Sequence, residues 1–252
     1  MRARPNLRNP KNTDDEAALD MQYLAGVGLS NSNWILNCEH WVFELTQLVQ
    51  NATLRPTVVS LSYAWAEDAQ CGTTADGDCS IMHLNSAQYV NRTNFELQKV
   101  ALLGTTVVAA SGDSGAHGRT DESCLFNPKT HPAFPAASPF VLSVGGTQFD
   151  FDDAIQTEPS SSPICRKGGE LANNCAQSGT EIVASTKTLA KITSGGGFSE
   201  VSARPSYQDA VVAKYLTNPT VHKSVKSKNY NGGGRSRSPS PPPPSPRLNA
   251  AS

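Results

Sequence analysis

Thr105-Thr106-Val107-Val108-Ala109-Ala110-Ser111-Gly112-Asp113-Ser114-Gly115 is an apolar run that stops abruptly at a turn of serines, glycines and one acid. Six residues with so many β-branched side chains predict a strand buried on both faces, the habit of a central strand in a parallel sheet. Upstream, Asn85 to Leu103 reads as a long amphipathic helix. Before it, Thr57 to Ser62 follows Pro56 as a second strand, and downstream Phe140 to Val144 is a third. Strands alternating with helices of this length imply parallel βαβ units, so the fold class is α/β with a doubly wound parallel sheet. In such sheets sites form beyond the carboxyl ends of the strands. Ser62-Tyr63 and Ser111-Gly112-Asp113 both fall there.

Nearer the N-terminus, Asp14 to about Leu24 predicts a helix capped by Thr13 or Asp14, with Ala17, Ala18, Leu19 and Tyr23 as its apolar positions. Trp34-Ile35-Leu36 is short and apolar enough for a strand. His40 to Gln50 predicts a helix with Trp41, Phe43, Leu45 and Leu48 near one face. On the first helix, Glu16 and Asp20 stand at i and i+4, which puts both carboxylates on one face. Two acids that close can share a proton if partly buried, and such a pair suits general-base work in acid. An ordinary solvated acidic face at a helix N-terminus shows the same spacing.

The 252 residues carry a formal net charge of −1, which hides an asymmetry. From Lys223 onward there are six basic residues and no acid, which leaves 15 basic against all 22 acidic residues before it. Asn231 to Pro239, with the proline run Pro241 to Pro244, cannot bury a core and predicts a disordered tail of coil and polyproline II. No apolar run reaches the roughly 18 residues of a membrane span. The basic start, Met1 to Pro5, is followed by no apolar segment, so no signal peptide is expected in this chain. Neither a nucleic-acid nor a membrane partner is expected. Cys71 and Cys79, and again Cys165 and Cys175, flank short polar loops and suggest disulfides. Cys38 and Cys124 complete the six, with no C-x-x-C spacing. Two glycosylation sequons, Asn51-Ala52-Thr53 and Asn91-Arg92-Thr93, fit a secretory or lysosomal route.

Five segments, in order, resemble the sedolisin (serine-carboxyl peptidase) family, and within it the tripeptidyl-peptidase branch. Glu16-Ala17-Ala18-Leu19-Asp20-Met21-Gln22-Tyr23 resembles its E-x-x-L-D-x-Q-Y helix. Val107 to Ala116 resembles its strand and S-G-D-x-G turn. His131 to Val141 is similar to its f-P-a-s-S-P-y-V segment, followed by Val144-Gly145-Gly146-Thr147. Ser194-Gly195-Gly196-Gly197-Phe198-Ser199 and Arg204-Pro205-Ser206-Tyr207-Gln208 complete the series. The resemblance implies a subtilisin-like fold and a peptidase with a Ser-Glu-Asp triad acting on peptide or protein substrates. In it Glu16 would be the general base, Asp20 would orient Glu16, and Asp113, protonated, would donate to the oxyanion. A carboxylate base and a protonated aspartic acid both work in acid, which implies a lysosomal or acidic extracellular setting. Ser60, Ser62 and Tyr63 match the strand that lines the substrate cleft, although Ala64 stands where the family usually has glycine.

The pattern departs at the other end. The family's serine lies in a G-T-S turn after the R-P-S-Y-Q segment, and these residues contain none: Gly146-Thr147 leads to Gln148 and Gly179-Thr180 to Glu181. The calcium that the resemblance implies would take its ligands from that same absent part, so no cofactor is expected within the chain. The expected organisation is an N-terminal extension over 1–13, a truncated catalytic domain over 14–222 and a basic Ser/Pro/Gly-rich tail over 223–252. The alternative to an active enzyme is an inactive truncated product, or a pseudoenzyme that binds peptide without cleaving it. For the tail, a partner that reads Pro-rich or phosphorylated Ser-Pro motifs and mere low-complexity read-through both stay open. Gly112-Asp113-Ser114-Gly115 also mimics the nucleophile segment of chymotrypsin-like proteases, but Ala116 breaks that motif and no histidine segment of that type precedes it.

Overall fold

The protein is described by a computed structural model over residues 15–119 except 30, 37 and 39, then 131–150 and 180–219. The expected extension, the Cys165/Cys175 loop and the basic tail lie outside these residues, as do the proposed caps at Thr13 and Asp14 and most of the polar stretch after Asp150.

Three strands form a parallel sheet in the order β1-β3-β5: β1 (Val58–Leu61), β3 (Thr106–Ala110) and β5 (Leu142–Val144). Leu61 pairs with Ala109, and Ala110 with Val144. The central strand is therefore the one with the long β-branched run. Between β1 and β3 the chain crosses over through α3 (Asp76–Met82) and α4 (Ser86–Leu102). The alternation of strand and helix thus folds as an α/β parallel sheet. Two antiparallel ribbons flank it: β2 (Trp65–Ala66) with β4 (Ala133–Phe134), and β6 (Thr147–Asp150) with β7 (Thr180–Val183).

α4 begins with a reciprocal cap. The Asn85 side chain accepts from Gln88 N–H, and the Gln88 side chain accepts from Asn85 N–H. One face of α4 carries Tyr89, Val90, Leu97 and Val100, which pack with Val42, Leu45 and Val49 of α2 (Val42–Asn51) against Val59 and Val107 of the sheet. The α2 face differs from the one expected. Its buried residues are Val42, Leu45, Thr46 and Val49, while Trp41, Phe43 and Leu48 are only half-buried. The helix starts at Val42, so Trp41 is the residue before it, and the i, i+3, i+4, i+7 stripe runs from Val42.

β3 is buried fully on one side only. Val107 and Ala109 lie in the core, whereas Val108 and Ala110 are half-exposed. β5 is exposed along its whole length. Trp34-Ile35-Leu36 does not form a strand; its side chains are exposed. A three-residue apolar run becomes a strand only beside a partner edge, and it pairs with no strand among the described residues. The stretch between Cys71 and Cys79, read as a loop, contains the start of α3, and a disulfide joins these two cysteines across it. Cys38 is free and half-buried.

Candidate active site

The first acidic pair sits on α1 (Asp15–Val27), a helix made of good helix formers and closed by Gly28, whose N–H donates to the Leu24 carbonyl at 2.9 Å. The apolar positions expected to anchor α1 do not enter the core: Leu19 and Tyr23 are exposed, at 50% and 69%. What ties α1 to the sheet is polar. Ser62, one residue past the end of β1, donates its hydroxyl to Asp20 Oδ2 at 2.6 Å. Asp20 and Ser62 are both half-buried, as is Glu16 one turn earlier.

Asp113 follows β3. Because β1 and β3 are parallel and paired through Leu61 and Ala109, Ser62 and Asp113 lie at the same end of the sheet. The structure therefore brings Asp20, Ser62 and the Asp113 turn to one rim, and Glu16 shares the helix that Ser62 holds there. Tyr63 and Ser60 are exposed on the same stretch. Ala64, where the family's glycine was expected, is buried, so its methyl is packed rather than presented to solvent.

The Asp113 turn is held by a second segment, Thr193 to Gly195, through backbone hydrogen bonds. Thr193 N–H donates to the Asp113 carbonyl at 2.8 Å, Gly115 N–H to the Thr193 carbonyl at 2.9 Å, and Gly195 N–H to the Gly112 carbonyl at 2.8 Å. Gly112 takes a φ of 97°, open to glycine at little cost. At Gly195 a Cβ would run into the Ser111 carbonyl. The glycines are there because two backbones lie against each other. Ser114, the decoy nucleophile, sits in this same ladder, its backbone in a parallel bridge with Thr193.

Glu67 was missed entirely. It directly follows β2, is fully buried, and accepts the Ser199 hydroxyl and the Glu200 N–H, each at 2.6 Å. Its own N–H donates to the Pro132 carbonyl at 3.1 Å. One residue thus joins the chain after the cleft strand, the segment before β4 through its backbone N–H, and the far end of the glycine loop through its carboxylate. Burial pushes its carboxyl above the usual range, opposed by the Ser199 and Glu200 donors and by His131. The only local signal was an acid directly after an apolar Trp-Ala pair, and its partners lie 132 and 133 residues away.

Two cavities adjoin the rim. One, of about 470 Å³, is lined by Asp20, Tyr23, Leu24, Val27, Asn33 and Ser60. The other, of about 410 Å³, lies between Ser111, Ala133, Ser138, Leu142, Gly197 and Tyr207. Ser111 lines the second, and its hydroxyl is buried without a hydrogen-bond partner among the described residues. Among the described residues no three His, Cys, Asp or Glu side chains are grouped to hold a metal ion.

No family model matches the chain. Among curated proteins, Physarolisin of Physarum polycephalum is 42% identical over 207 residues, covering 81% of this chain and 34% of its own length. Tripeptidyl-peptidase 1 of Homo sapiens and of Macaca fascicularis are each 32% identical over 212 residues, covering 81% of this chain and 29% of theirs. The chain therefore spans about a third of the length of these relatives. Among solved structures, Pseudomonas sedolisin, a serine-carboxyl proteinase complexed with two molecules of pseudo-iodotyrostatin, aligns over 66% of this chain and 36% of its own, at 20% identity and a TM-score of 0.35. The likeness to these curated relatives covers 81% of the chain and supports its membership of the sedolisin family of serine-carboxyl peptidases.

Proposed function

We propose that this chain is the acid-handling part of a sedolisin-class serine peptidase, tripeptidyl-peptidase-like in its action on peptides or proteins, at work in a lysosome or an acidic extracellular space. The observation that supports it most is the Ser62–Asp20 hydrogen bond, which brings the acidic helix to the sheet end where Asp113 stands. The Cys71–Cys79 disulfide fits an oxidising route to such a compartment.

In this reading a serine oxygen bonds to the peptide carbonyl carbon while its proton passes to the Glu16 carboxylate. Asp20 fixes the orientation of Glu16, and Ser62 fixes Asp20. The carbonyl oxygen, gaining charge, is met by the Asp113 carboxyl. Glu16 then returns the proton to the departing amine as the C–N bond breaks. Peptide lies along Ser60, Ser62 and Tyr63. The serine belongs to a G-T-S turn that these 252 residues do not contain. The chain by itself keeps the cleft and lacks the nucleophile, so it binds peptide without cleaving it.

The test is hydrolysis of tripeptide-releasing substrates in acid. This chain is expected to give no product. A version extended by a serine-bearing G-T-S segment is expected to give product, and Glu16→Gln is expected to lower that rate by about 10²-fold or more. Turnover by the unextended chain that disappears with Ser114→Ala would overturn the assignment.

A further inference from the structure

Two sequons remain outside the active-site reading, and the fold treats them differently. Asn51 is the last residue of α2, exposed, followed by Ala52 in extended backbone and by an exposed Thr53. Because α2 leads into β1, Asn51 lies toward the amino end of that strand, away from Ser62 and Asp113. Asn91 is in the second turn of α4 on its outer face, also exposed, but the hydroxyl-bearing Thr93 of its sequon is fully buried in the core-facing side of that helix. One turn beyond Asn91 the large apolar ring of Phe95 is 57% exposed, within reach of whatever Asn91 carries.

We propose that Asn51 and Asn91 are both N-glycan acceptors, and that Asn91 is modified only before α4 packs, its glycan then covering Phe95. In the transfer, the asparagine amide nitrogen loses a proton and bonds to the anomeric carbon of a lipid-linked oligosaccharide, and the lipid pyrophosphate leaves. The transferase must engage the sequon hydroxyl as well as the amide. At Asn51 both groups are open in the folded protein. At Asn91 the hydroxyl disappears into the core once Tyr89, Thr93 and Leu97 are packed. A bulky, hydrated sugar on either asparagine stands on the helical layer and leaves the strand-end rim free. The inference rests on the oxidising-route part of the reading above, and the Cys71–Cys79 bond gives an independent check of that part.

The experiment translates the full chain behind a cleavable leader into microsomes. Glycans are counted by mobility before and after endoglycosidase, and Cys71–Cys79 is scored by thiol alkylation in the same sample. Two glycans are expected, with one lost in Asn51→Gln, one lost in Asn91→Gln, and both kept in Thr93→Ser, which retains a hydroxyl. Folded, unglycosylated chain offered afterwards to solubilised transferase is expected to accept sugar at Asn51 only. Secreted Asn91→Gln is expected to be less soluble, and Phe95→Ser in the same chain is expected to restore solubility. A formed disulfide with an unmodified Asn51 or Asn91 overturns the proposal for that residue while leaving the compartment reading standing. Equal late modification of both sites overturns the timing. An absent disulfide with both glycans in place instead counts against the pairing and leaves the glycan proposal intact.

Discussion

At the scale of single residues, two carboxylates do opposite things. Asp20 is met by one short hydroxyl donor at the rim, and that donor is the described tie between α1 and the sheet. Ser62→Ala removes it at a partly buried position and is expected to cost about 1 kcal/mol, concentrated in α1. Amide exchange should then speed up across Asp15–Val27 and stay unchanged in α4. Glu67 is a buried acid whose pKa is raised by desolvation from an ordinary value near 4.5, against the pull of Ser199, Glu200 and His131. A carboxyl raised in the folded state contributes stability that is complete below its unfolded pKa and lost as pH rises through the folded one. Glu67→Gln has no such loss but exchanges one acceptor for a donor that faces donors. It is expected to be less stable than the parent at pH 4, with the deficit shrinking as pH rises toward 7, as read from melting temperatures across that range. A constant deficit would count against the raised carboxyl. The acidic helix and the S-G-D turn were legible because each is a local pattern. Glu67 was not, because its meaning depends on Ser199 and Glu200, which no short window contains.

At the scale of elements, α4 shows how a helix is made from both its ends and its face. Its central acid, Glu96, is only 1% exposed and receives Gln50 of α2, Arg92 and Lys99. Burial works against its charge, but Lys99, Gln50 and Arg92 together outweigh that and hold the carboxyl at about 2. A depressed carboxyl gives stability above its unfolded pKa that fades as pH falls to the folded one. Arg92 and Lys99 are themselves about half exposed, which reduces the effect. Glu96→Gln is therefore expected to cost about 1–2 kcal/mol in urea unfolding at pH 6. The cost should diminish below pH 4.5 and be gone once the pH is well under 2. The positions of α4, β1 and β3 followed from periodicity, since period and length suffice for a long helix and for β-branched runs. The buried face of α2 did not, because the helix starts at Val42, two residues after His40, and each residue step turns the face by about 100°. Trp34-Ile35-Leu36 has strand composition without a strand, since pairing is decided by a neighbouring edge and not by the run itself. Another expectation belongs to the glycine ladder: Gly195→Ala forces a methyl into the Ser111 carbonyl, so Thr193–Gly197 should separate from the Asp113 turn. Loss of exchange protection at Gly115 and Gly195 amides would show it.

At the scale of the molecule, the sheet is finished on one face and open elsewhere. Val59, Val107 and Ala109 are covered, while Val58, Leu142 and Val144 are 58%, 59% and 50% exposed. Apolar strand residues left in water at a sheet margin promote association. The isolated chain is expected to form larger species at micromolar concentration by light scattering, and Leu142→Lys with Val144→Lys to reduce this sharply. A cooperative melt of a clean monomer would contradict it. The general architecture was legible because βαβ alternation dictates it, but how much of the sheet stays uncovered could be learned only from burial.

Among the described residues the strand order β1-β3-β5 leaves two outer strands that are different surfaces pointing the same way. The outer side of β5 in one copy can accept the outer side of β1 in the next with every strand still parallel. Such a head-to-tail union uses up one margin and regenerates an identical one, so it ends only where the rotation between copies closes a ring. The expected product is an unbranched filament that lengthens from both tips, and a short peptide copying either margin should act as a terminator.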